Sequence, residues 1–368
     1  MKKEAVKFIA YYLPQYYPTP ENDRWWGKGF TEWTSVGKAK PLYKKHQQPR
    51  VPADLGYYDL RLPEIRQEQA ELAKMYNLGG FCYYHYWFGN GKQMLNRPVD
   101  EVIESGKPDF PFCFCWANQS WTGHWFGAGD KMLIKQEYPG DSDVKEHFKY
   151  LLTAFMDNRY IKFEGRPVFI ILDICSLPDP ARMASQLNDL AIRNGFPGLY
   201  LIAGNFIPDG WDPAANNFDA ITDNTFGRTL NDATQKWKSL SSRIFFNRFT
   251  RFLIGKNMVF EKRNTVSMKQ FMKYYKISDK NKVSSIPVAI PNWDNTPRAL
   301  KNGIVIRDAT PLFFKEQLEI AFDYVSESVN HPGIVFIKSW NEWAEGNYLE
   351  PDIETGHAYL QVIKDFYS

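Results

Sequence analysis

Eight short apolar runs, spaced along the whole chain, set the strongest limit on how this sequence can fold. They lie at 6–14 (VKFIAYYLP), 78–88 (LGGFCYYHYWF), 110–118, 166–173, 199–205, 218–223, 284–294 and 333–341. Polar stretches with apolar residues at helical spacing separate most of them, at 62–77, 96–106, 143–158, 179–195 and 310–327. Strands that read as continuous apolar runs are covered on both faces, the pattern of parallel strands joined by helical crossovers. Eight such units predict an α/β chain folded as a (β/α)8 TIM barrel. A doubly wound open sheet is the alternative, but the G-x-G-x-x-G turn expected after its first strand is missing. The length of 368 residues suits a single catalytic domain over 1–368 with insertions.

One segment breaks the rhythm. Residues 227–285 hold 14 Lys or Arg against three Asp or Glu. We read 227–285 as a basic insertion between strands six and seven. Its plain role is a solvated helical excursion; its functional alternative is contact with an anionic membrane surface or an acidic polysaccharide. Nucleic acid is not an expected partner, because no binding motif accompanies the charge and the whole chain carries only +3.

No stretch is long and apolar enough to span a bilayer, and MKKEAVKFIAYYLPQYY lacks the apolar core and cleavage site of a signal peptide. A cytoplasmic location is therefore expected, with peripheral contact at the inner membrane face through the basic insertion as its extension. The four cysteines, Cys82, Cys113, Cys115 and Cys175, sit in strand-like contexts and read as buried thiols.

In a barrel the C-terminal ends of all strands converge on one rim, where active sites form. Here those ends are rich in polar and aromatic groups. Tyr11 and Tyr12 end the first strand, with Trp26, Glu32 and Trp33 in the loop beyond. His85 and Tyr86 end the second, and Trp116, Asn118 and Trp121 follow the third. Asn205 and Asp223 end the fifth and sixth. Trp293 and Asp294 end the seventh, and Trp340, Asn341, Glu342, Trp343 and Glu345 follow the eighth. Aromatic residues make up 16% of the chain, which suits either a large ring-filled core or a cleft where sugar C–H faces stack on Trp and Tyr. His85 reads as a structural hydrogen-bonding group. Asn118 and Trp121 read as sugar recognition by hydrogen bond and stacking. Arg298 either pins Asp294 or binds an acidic sugar, and we favour the pin.

Glu342 and Glu345 are the chemical centre of this reading. Cleaving or forming a glycosidic bond needs two carboxyl groups of different character, one protonated and one ionised. A spacing of three on a turn leaving a strand can place both on one side, where repulsion and burial split their pKa values. The alternatives are that one is catalytic while the other is ion-paired, or that both bind substrate hydroxyls. Glu32 is a third carboxylate, able to hold a sugar hydroxyl, act as nucleophile, or pair with a base. Glu350 and Asp352 read as turn or support groups, since the acidic run lacks the alternation of a calcium loop. The D-x-D at 141–143 reads as a helix cap, and no metal or other cofactor is expected.

The stretch SWNEWAEGNYLEPD (339–352) resembles the signature of the WbsX family, often labelled polysaccharide or O-antigen glycosyltransferases. It is also similar to the end of the catalytic domain in glycoside hydrolase family 99. The blocks YYLPQYYPTPENDRWWGKGFTEWTSVGKAKPLYKKHQQPRVPADLGYYDLR (11–61), GGFCYYHYWF (79–88), FCWANQSWTGHW (114–125) and WDNTPR (293–298) extend the WbsX likeness over most of the chain. The resemblance implies a (β/α)8 barrel acting on glycans without a metal. By position, it makes Glu342 the group that deprotonates a sugar 2-hydroxyl, closing a 1,2-anhydro ring, and Glu345 the acid/base. The N-terminal half departs from family 99, so that family's α-mannoside preference is not carried over. The expected activity is a retaining glycoside hydrolase or transglycosidase on a bacterial surface-type glycan. A glycosyltransferase of lipopolysaccharide or capsule assembly is the runner-up. A non-catalytic glycan-binding barrel comes third, and the intact Glu pair argues against it.

Overall fold

The computed structural model describes residues 2–123, 131–204, 207–208, 210–222, 227, 229–230, 264–277, 284–328 and 331–368. Nine parallel strand segments form the barrel: β1 (Lys7–Tyr12), β2 (Gly80–Trp87), β3 (Phe112–Trp116), β4 (Arg166–Ile171), β5 (Tyr200–Ala203), β6 (Ala220–Thr222), β7 (Ser284–Ile286), β8 (Val288–Ala289) and β9 (Ile334–Ile337). They pair in the order β7-β6-β5-β4-β3-β2-β1-β9-β8. Only Pro287 separates β7 from β8, so these two are halves of one strand and the ring closes through them as a (β/α)8 TIM barrel. Proline has no N–H to give the ladder. Its carbonyl still accepts from the Phe336 N–H at 2.9 Å, which carries the register across the break.

All eight strands expected from the apolar runs are present. The seventh is shorter than the 284–294 run, because Pro287 and Pro291 punctuate it. Trp293–Asp294 pairs instead with Val305–Arg307, which also pairs with Thr265–Ser267 in a small separate sheet. This sheet is where the described C-terminal part of the 227–285 insertion attaches. The core of its basic run, 231–263, lies outside the described residues, as do Asn205 and Asp223.

Helices α1 (Pro20–Trp26) and α2 (Glu32–Lys38) interrupt the loop after β1. The outer layer contains α3 (Pro63–Met75), α4 (Arg97–Ser105), α5 (Asp141–Phe155) and α6 (Pro180–Arg193). Short α7 (Met268–Met272) and α8 (Thr296–Ala299) flank the seventh strand, and α9 (Pro311–Glu327) precedes β9. A last helix, α10 (Ala358–Phe366), was not expected from the sequence reading. Its Tyr359, Leu360, Ile363 and Phe366 are buried at helical spacing, and Phe366 packs edge-on to Phe8 of β1 at 4.9 Å. It thereby completes the eighth β/α unit and seals the end of the chain against its start.

Two smaller expectations change. Cys82, Cys113 and Cys115 are buried, but Cys175 is exposed in the turn after β4. The D-x-D does not cap α5. Gly140 holds the cap position, Asp141 pairs at the surface with Arg182, and Asp143 accepts from the Trp87 indole and the Asn90 backbone.

The core between barrel and helices is aromatic. Phe155 of α5 is fully buried, with edge contacts to Tyr160 at 5.0 Å and Phe169 of β4 at 6.1 Å. Phe155→Ala should lower unfolding stability by about 3–5 kcal/mol in urea titration, the usual cost of emptying such a site; a loss below about 1 kcal/mol would show that α5 is not locked onto β4 there.

Candidate active site

The rim beyond β9 is shaped by a tight turn. Asn341–Glu342 pairs antiparallel with Asn347–Tyr348, and a single 3-10 turn, Trp343–Glu345, joins them. Gly346 closes that turn at φ 55, and a Cβ there would lie 2.7 Å from Asp294 Cβ and 2.9 Å from Asp294 N. Only glycine meets both the left-handed backbone and that close approach. The turn brings Glu342 and Glu345 together into a pocket of about 200 Å³. Arg298 and Lys338 join them there. The loops after β1 and β3 supply Gln15, Asn22, Trp26, Gln119 and Trp121, and β2 supplies Tyr84 and Tyr86.

One guanidinium organises the charges. Arg298 donates through Nε to Glu32 Oε1 at 2.6 Å and through Nη1 to Glu345 Oε1 at 2.7 Å. Glu32 is wholly buried; burial pushes its carboxyl up, and the charge and hydrogen bond of Arg298 pull against that. Glu342 is different. Burial, reinforced by the negative charge of Glu345, pushes it from 4.5 to about 7, against the opposing pull of Lys338, Arg298 and a hydrogen bond donated by Ser339 Oγ. The pair therefore comprises one carboxyl that takes up a proton near neutrality and one held in an ion pair.

Five residues expected at the site line this pocket: Trp26, Tyr86, Trp121, Glu342 and Glu345. The other expected residues have different surroundings. Successive strand residues point to opposite faces, so neighbours at a strand end cannot both face the pocket. Tyr12 donates to Gln69 of α3 at 2.6 Å. His85 sits 2.9 Å from His147 of α5, where burial lowers its pKa to about 3. Trp116 donates to the Trp87 carbonyl at 3.0 Å and lies edge-on to His147. All three face the helical layer. Tyr11 stacks on Tyr84 at 5.4 Å and on Phe336 at 5.1 Å, inside the barrel.

Several expected sugar-binding groups instead hold the scaffold together. Asn118 donates to the Asp173 carbonyl and accepts from the Asp173 N–H, tying the loops after β3 and β4. Asn341 grips both backbone groups of Leu13. Trp340 is fully buried against Phe81. Trp343 stacks on Tyr348 at 3.8 Å and donates to Glu350 at 2.6 Å. Trp33 is wedged among Tyr16, Tyr58 and Trp343. Trp293 is buried with the Lys338 ammonium over its ring at 5.3 Å.

Asp294 is fully buried and engaged on both oxygens, by His46 and Gln48 at 2.7 Å and by Thr296 Oγ1 at 2.6 Å. Burial pushes its carboxyl up, yet hydrogen bonds from His46 and Thr296 and the charge of Arg50 hold it below its usual value. Arg298 thus does not pin Asp294, contrary to the reading of WDNTPR; it clamps Glu32 and Glu345. Of the remaining acidic groups, Glu350 accepts from Trp343, Gln69 and Tyr58, and burial raises it to about 7. Asp352 accepts from Tyr348 and from the Thr355 N–H.

Sequence reasoning missed Gln15, Asn22, Tyr84, Gln119 and Lys338. Two had a usable signal. Tyr84 lies two residues before Tyr86 on one strand face, and Asn22 lies one helical turn before Trp26. Among the described residues, no group of three or more His, Cys, Asp or Glu is placed to hold a metal ion, and no helix is long and apolar enough to cross a membrane.

A family model described as Glycosyltransferase WbsX matches residues 8–363. The uncharacterized protein WxcX of Xanthomonas campestris pv. campestris is 34% identical in strain ATCC 33913 and 35% in strain B100, over 360 residues and 97% of this chain. The match covers 49% of each, so the chain spans about half the length of these relatives. Among solved structures, a GH99 endo-α-mannosidase from Bacteroides thetaiotaomicron matches with TM-score 0.56 at 17% identity, covering 98% of this chain and 96% of that one. A glycoside hydrolase-like protein matches with TM-score 0.59 at 14% identity, covering 99% and 94%. At such identity these likenesses establish the barrel fold.

The split pair has a thermodynamic signature. A folded-state pKa raised from 4.5 to about 7 means that Glu342 contributes stability below pH 4.5 and loses it as pH rises through 7. Glu342→Gln removes that loss. Relative to wild type, the variant should gain on the order of 2–3 kcal/mol between pH 5 and pH 8 in urea titrations; an equal difference at both pH values would place the proton elsewhere.

Proposed function

Since the chain belongs to the WbsX glycosyltransferase family, we propose that this carbohydrate-active enzyme is a retaining glycoside hydrolase or transglycosidase acting on a bacterial surface-type polysaccharide or oligosaccharide. The observation that carries the reading is the pair itself. Glu342 and Glu345 line one pocket, the first raised to about 7 and the second clamped by Arg298. A carboxyl that burial keeps protonated toward neutrality, beside a second one held in an ion pair, suits the acid/base cleavage of an acetal. Trp26, Tyr86 and Trp121 in the same pocket offer ring faces to a sugar.

In the free pocket Glu345 accepts from the Arg298 guanidinium while Glu342 accepts only from the neutral Ser339 hydroxyl, an arrangement that favours a division of labour opposite to the one the family 99 likeness implies. In our reading Glu342, which holds a proton near neutrality, gives it to the glycosidic oxygen as the C1–O bond breaks. Glu345, a carboxylate beside Arg298, removes the 2-hydroxyl proton as O2 closes on C1, leaving a 1,2-anhydro sugar. Glu342, now ionised, takes a proton from the incoming water or acceptor hydroxyl, and the proton on Glu345 returns to O2 as the three-membered ring opens. Two inversions at C1 give net retention.

The family description favours a second reading, transfer from a nucleotide-activated or lipid-linked sugar. The two diverge in a direct assay. An oligosaccharide screen with NMR detection should show release of a sugar with retained anomer, and calorimetry should show no binding of UDP-, GDP- or CDP-sugars. Nucleotide-sugar binding without hydrolysis would favour the transferase. Glu342→Gln and Glu345→Gln should each lower turnover by at least about 10³-fold on the natural linkage. On an aryl glycoside whose leaving group needs no proton, Glu342→Gln should recover most of the loss in the first step, read as the initial burst of released phenol, and Glu345→Gln should not. The reverse pattern would restore the order of roles implied by the family 99 likeness.

A further inference from the structure

Helix α1 carries a polar group that the folded chain leaves without a partner. Asn22 is fully buried, and neither its Oδ1 nor its Nδ2 has a hydrogen-bond partner. An amide can accept through its oxygen and donate through its nitrogen, and burying it with neither use is among the costlier things a fold does. Other buried side chains also have unpartnered atoms, Asn347 among them, but of these described residues only Asn22 lines the pocket that holds Glu342 and Glu345. Trp26, one helical turn further along α1, lines the same pocket and is partly exposed. The helix is fixed in place at its start, where the Asn22 N–H donates to Thr19 Oγ1 at 3.2 Å and Thr19 is itself buried. Two further pocket residues, Gln15 from the loop after the first strand and Gln119 from the loop after the third, are amides as well, whereas the charged residues all come from the seventh and eighth strand ends.

We propose that Asn22 and Trp26 form a subsite for a neutral pyranose unit of the glycan, adjacent to the carboxyl pair. The Asn22 amide pairs with two neighbouring hydroxyls, accepting from one through Oδ1 and donating to the other through Nδ2. The Trp26 indole covers the apolar C–H face of the same ring. The Asn22 side chain lies in the pocket wall and is out of reach of solvent in the free protein, so a ligand hydroxyl pairs with it as that wall shifts on binding. An amide offers no charge to a carboxylate or phosphate, so the unit bound here is uncharged. The inference rests on the glycan-processing reading of the pocket but concerns binding alone, and it is tested without turnover.

The probes are methyl α- and β-pyranosides of glucose, mannose and galactose, the corresponding methyl uronates, and short oligosaccharides of the neutral sugars. They are titrated into the Glu342→Gln variant of the 368-residue chain and followed by saturation-transfer NMR, with the 15N-labelled Asn22 amide and Trp26 indole signals as site reporters. We expect at least one neutral pyranoside to bind and to move both reporters. Adding Asn22→Leu should weaken it at least tenfold while Tm stays level or rises by about 1–3 °C, because an unpaired buried amide has been removed. Asn22→Ser, a smaller change, should weaken it by a lesser factor in a protein that folds in any case. Unchanged affinity in both variants, preference for the uronates, or no binding by any probe would overturn the proposal. Failure of the wild type to cleave any glycan, with Asn22-dependent binding intact, would count against the hydrolase reading and leave the subsite standing.

Discussion

The site depends on one largely buried guanidinium. Arg298 lies between Glu32 and Glu345, residues 266 and 47 positions away in sequence, and its hydrogen bonds join the loops after the first, seventh and eighth strands. Taking such charges out of water is costly, and removing one partner leaves another charge uncompensated. The arrangement persists because the geometry is close on both sides and the surrounding loops are themselves tied down. Asp294 does much of the tying. It is engaged by His46 and Gln48 from the first loop and by Thr296 from the start of α8, and Gly346 lets the turn that carries Glu342 and Glu345 pack directly against its backbone. The long N-terminal block is thus the frame that holds the C-terminal motif.

This frame explains why so few of the many rim aromatics meet the pocket. Trp33, Trp340 and Trp343 pack among Tyr16, Tyr58, Phe81 and Tyr348, and they support the turn that carries Glu342 and Glu345. Burial is also what chiefly raises Glu342. A drier pocket strengthens every electrostatic effect within it, so the Glu345 charge acts on Glu342 with little screening. Packing thus holds the turn that carries the two carboxyls, and burial sets Glu342 apart from an ordinary surface carboxylate.

Much of this was legible in the sequence. Apolar runs marked all eight strands, because buried parallel strands have no polar face to disguise them. The Glu342/Glu345 spacing on a strand-ending turn marked the pair. What was not legible has identifiable causes. His85, Trp116 and Tyr12 lie at strand ends as expected, but alternation sends them to the helical layer, and a run apolar on both faces does not reveal its inward phase. The partner of Arg298 was misread because Asp294 is near in sequence, whereas Glu32 is near only in space. Helix α10 had a readable pattern at 359, 360, 363 and 366 that the adjacent acidic motif overshadowed. The split of the seventh strand follows from Pro287, visible in the sequence but interpretable only once its neighbours on both sides were known.

Before any substrate arrives, the fold already treats the two carboxyls differently: burial favours a proton on Glu342, and Arg298 holds Glu345 in an ion pair. The most direct measurement is a 13C NMR titration of the glutamate δ-carboxyl signals in the intact protein, with Glu342 and Glu345 assigned by their loss in the Gln variants. The Glu342 signal should titrate with a midpoint near 7, and this midpoint should fall when Glu345 is replaced by Gln, because the negative charge that reinforces burial is removed. A Glu342 signal titrating near 4.5, or a midpoint indifferent to Glu345, would contradict it.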